Sequence, residues 1–281
     1  MSAPSDVVLR TSSESVLRTR GLIKRFGGIV ATADVDLDVQ RGARHALIGP
    51  NGAGKTTLIN LMTGVLAPTQ GRIELEGDDI TQLAPHRRVQ RGLVRTFQIN
   101  QLFASLTPIE TLAMVVEQQR GRSARWWLPL GAAPKPAGQG DASESTAERC
   151  ARLIEQFRLQ DVAAQRTDEL PYGKRRLLEI AIALACEPRV LLLDEPMAGV
   201  PAGERDELLL SVSALPADVS VLLIEHDMDL VFEFARHITC LLYTSPVRAD
   251  AQRRILLGIR SPERALSRTA GRAGGQCFFG A

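Results

Sequence analysis

Aromatic residues are scarce in this chain of 281 residues, at 4% with two Trp and two Tyr. So few rings argue against a surface that stacks the bases of single-stranded nucleic acid. An excess of one charge is also missing. The 34 Lys and Arg stand against 32 Asp and Glu, a formal net charge of +2, which does not suggest a general nucleic-acid binder. Cysteine is limited to Cys150, Cys186, Cys240 and Cys277, too widely spread for a metal-ligand pair. They read as ordinary reduced thiols. No apolar run reaches the roughly 18–20 residues of a membrane span, and the opening MSAPSDVVLRTSSESVLRTR lacks an apolar signal core. The expectation is a soluble, cytoplasmic protein that reaches a membrane only through a partner.

What is present is enough apolar material, 44%, to build a full core. Residues 1–15 read as a flexible N-terminus. From Val16 to Val39, β-type runs alternate with Gly and Asp; VATADVDLDV alternates apolar and acidic residues as a half-buried strand does. ARHALIG reads as a strand ending on glycine, with a helix from about Lys55. Gly71–Leu75 and the EGDDI turn suggest a further hairpin strand. A helix is expected over 107–118, opened by Thr107-Pro108 with Glu110 in its first turn. Residues 121–145, rich in Gly, Ala, Pro and Ser around Trp126 and Trp127, read as a loop or insertion. Ala147–Phe157 reads as helix, while Val190–Leu193 and Val219–Ile224 are apolar runs of the fully buried, parallel kind. Strands alternating with helices imply an α/β core. Beyond Leu242 the pattern fades. Val247–Ala281 holds seven Arg but only Asp250 and Glu263 as acids, so 243–281 is expected to be an atypical, poorly ordered tail, with no strand legible in it.

Three stretches carry chemistry. GPNGAGKTT, Gly49–Thr57, matches G-x-x-x-x-G-K-[ST] between a strand and a helix. Gly52 and Gly54 let the backbone curl so that successive N–H groups converge on phosphate oxygens, and the helix N-terminus adds positive potential. Lys55 would reach the β- and γ-phosphates, and the Thr56 hydroxyl suits Mg²⁺. VLLLDEP, Val190–Pro196, sets two carboxylates at the carboxyl end of a buried strand, where open α/β sheets bind ligands. Asp194 would hold Mg²⁺ and Glu195 would polarise an attacking water. Alone, that stretch reads equally as a turn with a helix cap. LLIEHD, Leu222–Asp227, brings His226 to the end of another buried strand, as a candidate γ-phosphate contact. His45, His86 and His237 have no such context.

Together these stretches resemble the nucleotide-binding subunit of ABC transporters, over about Leu17–Leu242. The resemblance implies a P-loop NTPase (RecA-like) α/β core, an N-terminal antiparallel β subdomain, and a helical subdomain inserted at about 99–185, within a cassette spanning 16–242. It implies ATP and Mg²⁺ as cofactors. By resemblance Phe26 in KRFGG stacks on adenine, and Gly49, Pro50, Asn51, Gly52, Ala53, Gly54, Lys55, Thr56 and Thr57 cradle the phosphates. Gln98 in RTFQ joins the Mg²⁺ site to the membrane partner, and with Lys55, Glu195 and His226 completes the catalytic set. Thr56, Gln98 and Asp194 are the implied metal ligands. Leu170, Pro171, Tyr172, Gly173 and Lys174 correspond to the family's signature sequence, which heads a helix and meets the ATP of a second cassette in a head-to-tail dimer. Lys174, Arg175 and Arg176 would add positive field there. Two permeases are the implied membrane partners, with Gln98 and 101–107 lining the groove that receives a permease helix. A periplasmic solute-binding protein acts indirectly, and no nucleic acid is involved. The protein would then lie on the cytoplasmic face of the inner membrane, peripherally.

LxYGxxRxLEIAxAL, RGLVRTFQ and LLIEHDM resemble the branch that imports branched-chain amino acids and related amides, in particular its first ATPase subunit. Departures stand beside the likeness. Pro171 replaces the signature serine and offers neither hydroxyl nor N–H. Lys174 replaces glutamine, and Val200-Pro201 stands where the family places aspartate or asparagine. The tail lacks the branch's usual ending, which suggests an altered reading frame. The competing readings are the ATPase of lipopolysaccharide export, a soluble cassette for translation or DNA repair, and a non-functional cassette.

Overall fold

The computed structural model describes residues 14–96, 103–120, 144–241 and the backbone of 257–260. Two sheets organise it. The first is antiparallel, ordered β2-β1-β4-β5, from β1 (Ser15–Phe26), β2 (Ile29–Gln40), β4 (Gln70–Leu75) and β5 (Asp78–Asp79). The alternation seen in β2 becomes geometry: Val35, Leu37 and Val39 are buried while Asp34, Asp36 and Asp38 are exposed. The second sheet runs β10-β9-β3-β8-β7-β6. Its members are β3 (Arg44–Ile48), β6 (Leu93–Arg95), β7 (Val190–Asp194), β8 (Ser220–Ile224), β9 (His237–Cys240) and β10 (Leu257–Arg260). All pairs are parallel except β9–β10.

The apolar runs of β7 and β8 are continuous because both faces are covered. Leu191, Leu193, Val221 and Leu223 face one core, shared with α3 (Pro108–Gln119), α4 (Thr146–Gln156) and α5 (Tyr172–Ala185). Val190, Leu192, Leu222 and Ile224 face the other, shared with the antiparallel sheet and with Leu58, Ile59, Leu61 and Met62 of α1 (Lys55–Met62). The helix that follows the phosphate loop thus lies between the sheets. Its far end is fixed by Arg88 of α2 (Pro85–Gln90), only 2% exposed. That guanidinium donates to the carbonyls of Leu61 and Met62, which end α1, at 2.8 and 2.6 Å, and to those of Thr81 and Leu83 at 2.8 and 2.9 Å. Thr107 and Glu110 cap α3 reciprocally, as their spacing predicts. The remaining α-helices among the described residues are α6 (Ala202–Ser213) and α7 (Met228–Phe234).

One local expectation is corrected. A strand, β10, lies within the stretch read as patternless, its residues opposite His237–Cys240 of β9. An edge strand forms by backbone pairing, which leaves no periodicity to read. Nothing else of 242–281 is described, nor are 1–13, 97–102 or 121–143, so Gln98 and the insertion fall outside the described residues.

Candidate functional site

The parallel sheet delivers its candidate residues to one edge. Leu47 of β3 pairs in register with Ile224 of β8, and Ile224 with Asp194 of β7. Continuing past that row, β3 reaches Gly49 in two residues, β8 reaches His226 in two, and β7 reaches Glu195 in one. β6 joins the same edge, Arg95 pairing with Leu192. All four strands therefore end side by side at their carboxyl ends.

From β3 the chain turns through glycines. Gly52 and Gly54 take φ of 80° and 90°, the left-handed region, and Gly54 is the N-cap of α1. At Gly49 a Cβ would run into the Leu241 carbonyl oxygen. Ala53 is fully buried, while Pro50 and Asn51 are exposed. Lys55 folds back and donates to the carbonyls of Gly49 and Pro50 at 2.5 and 3.2 Å. Thr56 is exposed at the second position of α1, and Thr57 is half-buried.

Asp194 ends β7 with its carboxylate against Arg95. Glu195 adopts φ 46°, a left-handed conformation that costs a non-glycine residue on the order of 1 kcal/mol. Its N–H is held by the Ile224 carbonyl at 2.9 Å. Its carboxylate is 43% exposed beyond the end of the strand pairing. His226 Nδ1 lies 3.8 Å from Glu195 Oε1 and 3.7 Å from Glu225 Oε2, with the imidazole 67% exposed. Glu225 is a residue the sequence reading passed over. It is 1% exposed, and its carboxylate accepts from the N–H groups of Met197 and His226, each at 3.2 Å. Burial raises its pKa, partly offset by those hydrogen bonds. It knits the turns after β7 and β8 together; its place inside LLIEHD was the available signal.

The segment Leu170–Lys174 leads into α5 and bonds within its own chain, in part to the turn after β7. Leu170 is 1% exposed and belongs to the core. Tyr172 donates its hydroxyl to the Ala198 carbonyl at 2.9 Å. The Gly173 N–H, at the start of α5, donates to Glu204 Oε2 of α6 at 2.6 Å, and a Cβ at Gly173 would strike that side chain. Pro171 supplies no side-chain cap, so Glu204 caps the helix from another element. The three cations expected to add field toward a phosphate all have partners in the chain. Lys174 lies 3.2 Å from Glu207 and 3.3 Å from Asp161, Arg175 donates to the Leu170 carbonyl at 2.8 Å, and Arg176 pairs with Glu179 at 2.8 Å. Phe26 is on the other sheet at the end of β1, 48% exposed, with Lys24 Nζ 5.1 Å from its ring centre.

Of the predicted metal ligands, the two among the described residues offer oxygens: the Thr56 hydroxyl and the Asp194 carboxylate. Among the described residues no cluster of three or more His, Cys, Asp or Glu could hold a metal ion. Two such oxygens fit a hard divalent cation that takes its other ligands from phosphate and water, as Mg²⁺ does.

The ABC transporter family model matches residues 32–198. The high-affinity branched-chain amino acid transport ATP-binding protein BraF of Pseudomonas aeruginosa is 39% identical over 84% of this chain and 91% of its own. The corresponding protein LivG of Escherichia coli K12 is 37% identical over 80% and 88%. The crystal structure of the ADP conformation of MJ1267, an ATP-binding cassette of an ABC transporter, superposes with a TM-score of 0.66 at 30% identity, covering 81% of this chain and 87% of that one.

Proposed function

This chain belongs to the ABC transporter family of ATP-binding cassettes, and on that premise we propose that it is the ATP-hydrolysing subunit of an importer of branched-chain amino acids or related amides. The observation that carries the catalytic half is the shared sheet edge at which the phosphate loop, Asp194, Glu195 and His226 emerge. The solute class rests on the relatives' names, since a cassette does not touch the solute.

Each residue then has a task. The loop amides from Gly49 to Gly54 and the start of α1 hold the phosphates, and Lys55 swings from the loop carbonyls to the β- and γ-phosphates. Phe26 stacks on adenine. Thr56 and Asp194, with Gln98, would hold Mg²⁺, which would supply positive charge against the phosphate oxygens. Glu195 takes a proton from the attacking water, and His226, exposed beside it, donates to the γ-phosphate. The Gly173 amide of a second cassette faces that phosphate across the dimer. Because Glu204 already occupies the amide in the single chain, an arriving phosphate must displace this carboxylate. On this reading residues 16–242 form the cassette, and it works at the cytoplasmic face of a membrane with two permeases. Among the described residues no helix is long and apolar enough to cross a membrane.

Phosphate release by purified protein tests the chemistry. Glu195→Gln is expected to keep ATP binding and lose about 100-fold or more in turnover; intact turnover would remove Glu195 as the base. Copurification with two permeases, and ATP-dependent leucine uptake by the reconstituted complex, tests the transport half. Recovery on ribosomes or DNA would overturn it.

A further inference from the structure

Arg95 ends β6, the strand beside β7. Its guanidinium is engaged at both tips. Nη2 donates to Asp194 Oδ2 at 2.5 Å and Nη1 donates to Asn60 Oδ1 at 2.8 Å. The pair is largely covered, with side chains 20% and 22% exposed. Asn60 lies on α1 four residues beyond Thr56, so the two share one helix face. One planar group therefore joins α1, which carries Thr56, to β7, which ends in Asp194, and Arg95 itself stands three residues before Gln98.

We propose that Arg95 is a positioning residue for the divalent cation bound with the nucleotide. It fixes the Asp194 carboxylate through one oxygen, leaves the other for the cation, and takes its own bearing from α1. The inference rests on the ATPase reading above. An arginine suits the task because its fork meets two acceptors at a fixed angle, which an ammonium does not. A pair kept for stability alone would need no second tie to the helix bearing Thr56. The same contacts admit one opposite role, a competing cation that repels the metal from Asp194, and the two roles predict opposite signs.

The test uses the full chain and ADP, with dissociation constants measured calorimetrically in Mg²⁺ and in EDTA. Their ratio reads what the cation adds to binding, apart from turnover. The wild type is expected to bind more tightly with Mg²⁺. Arg95→Gln is expected to reduce that ratio by about 10-fold, the usual loss when a ligand's outer-shell partner is removed, with the affinity in EDTA unchanged. Asn60→Leu, which leaves both Arg95 and Asp194 in place, should shift it in the same direction and stands in if Arg95→Gln fails to fold. Arg95→Lys should not restore the ratio. An unchanged or increased ratio overturns the inference, as does an equal loss with and without metal. A wild type that binds no ADP overturns the ATPase reading itself.

Discussion

At His45 a single imidazole is buried to 6% exposure between β3 and β9, with its Nε2 2.7 Å from the Thr239 hydroxyl. Burial first, then the neighbouring His237, push its pKa down to about 4 from 6.5, with Asp38 pulling weakly the other way. Above about pH 6.5 the ring is neutral in both folded and unfolded chains, and the fold keeps its full stability. Between 6.5 and 4 the unfolded chain takes up a proton that the folded one refuses, so stability falls as pH falls. At pH 5 the loss is about 2 kcal/mol. His45→Gln keeps a hydrogen-bonding group toward Thr239 and cannot titrate. Urea unfolding should therefore show wild type losing about 2 kcal/mol relative to His45→Gln between pH 7 and pH 5. Referencing to the variant matters, because Glu179 works in the opposite sense. Burial raises its pKa to about 7 despite Arg176, so it favours the folded state as pH falls. A difference that stays flat with pH would mean the His45 ring is solvated.

Helix α5 shows how an element depends on residues remote in sequence. Its N-cap is Pro171, which has no side-chain acceptor, and the Glu204 carboxylate fills the role from α6. A carboxylate there also meets the positive end of the helix dipole. Glu204→Ala should cost about 1–2 kcal/mol in urea unfolding, and Glu204→Gln less, since its amide oxygen still accepts. Equal stability for all three proteins would show that α5 needs no cap. The contact was not legible beforehand because 31 residues separate its partners. Arg95 was hidden the same way: it stood in the quoted RGLVRTFQ, but its partners Asn60 and Asp194 are distant in sequence. By contrast β3, the phosphate loop and α1 were readable, since strand, glycines and helix follow one another. So were β7 and β8, whose burial on both faces writes itself as unbroken apolar runs. Local rules expose what neighbours in sequence decide; β10, Glu225 and Glu204 are decided by tertiary pairing.

On the scale of the whole molecule, the site lies where two cores meet. The parallel sheet shares one core with α3, α4 and α5 and the other with α1 and the antiparallel sheet. On the proposed reading, phosphates held at Gly49–Thr57 would engage the first turn of the helix between the sheets, and adenine stacked on Phe26 would engage the antiparallel sheet. Nucleotide would then bind only the assembled fold, and its binding energy would add to folding stability. At a concentration of 100 times its dissociation constant the gain is about 2.7 kcal/mol. For a protein of this size that corresponds to a rise in melting temperature of roughly 5 °C. Lys55→Ala should remove most of the rise, because the β- and γ-phosphates lose their cation. Phe26→Ala should remove part of it, and more of the part contributed by adenine than by phosphate, so that inorganic triphosphate stabilises Phe26→Ala and wild type alike. Glu195→Gln should keep the full rise while turnover is lost, which separates holding the nucleotide from splitting it. Thermal melts of the four proteins with ATP, ADP and triphosphate read all of this. If Lys55→Ala kept the whole rise, the nucleotide would be bound elsewhere than on the glycine loop.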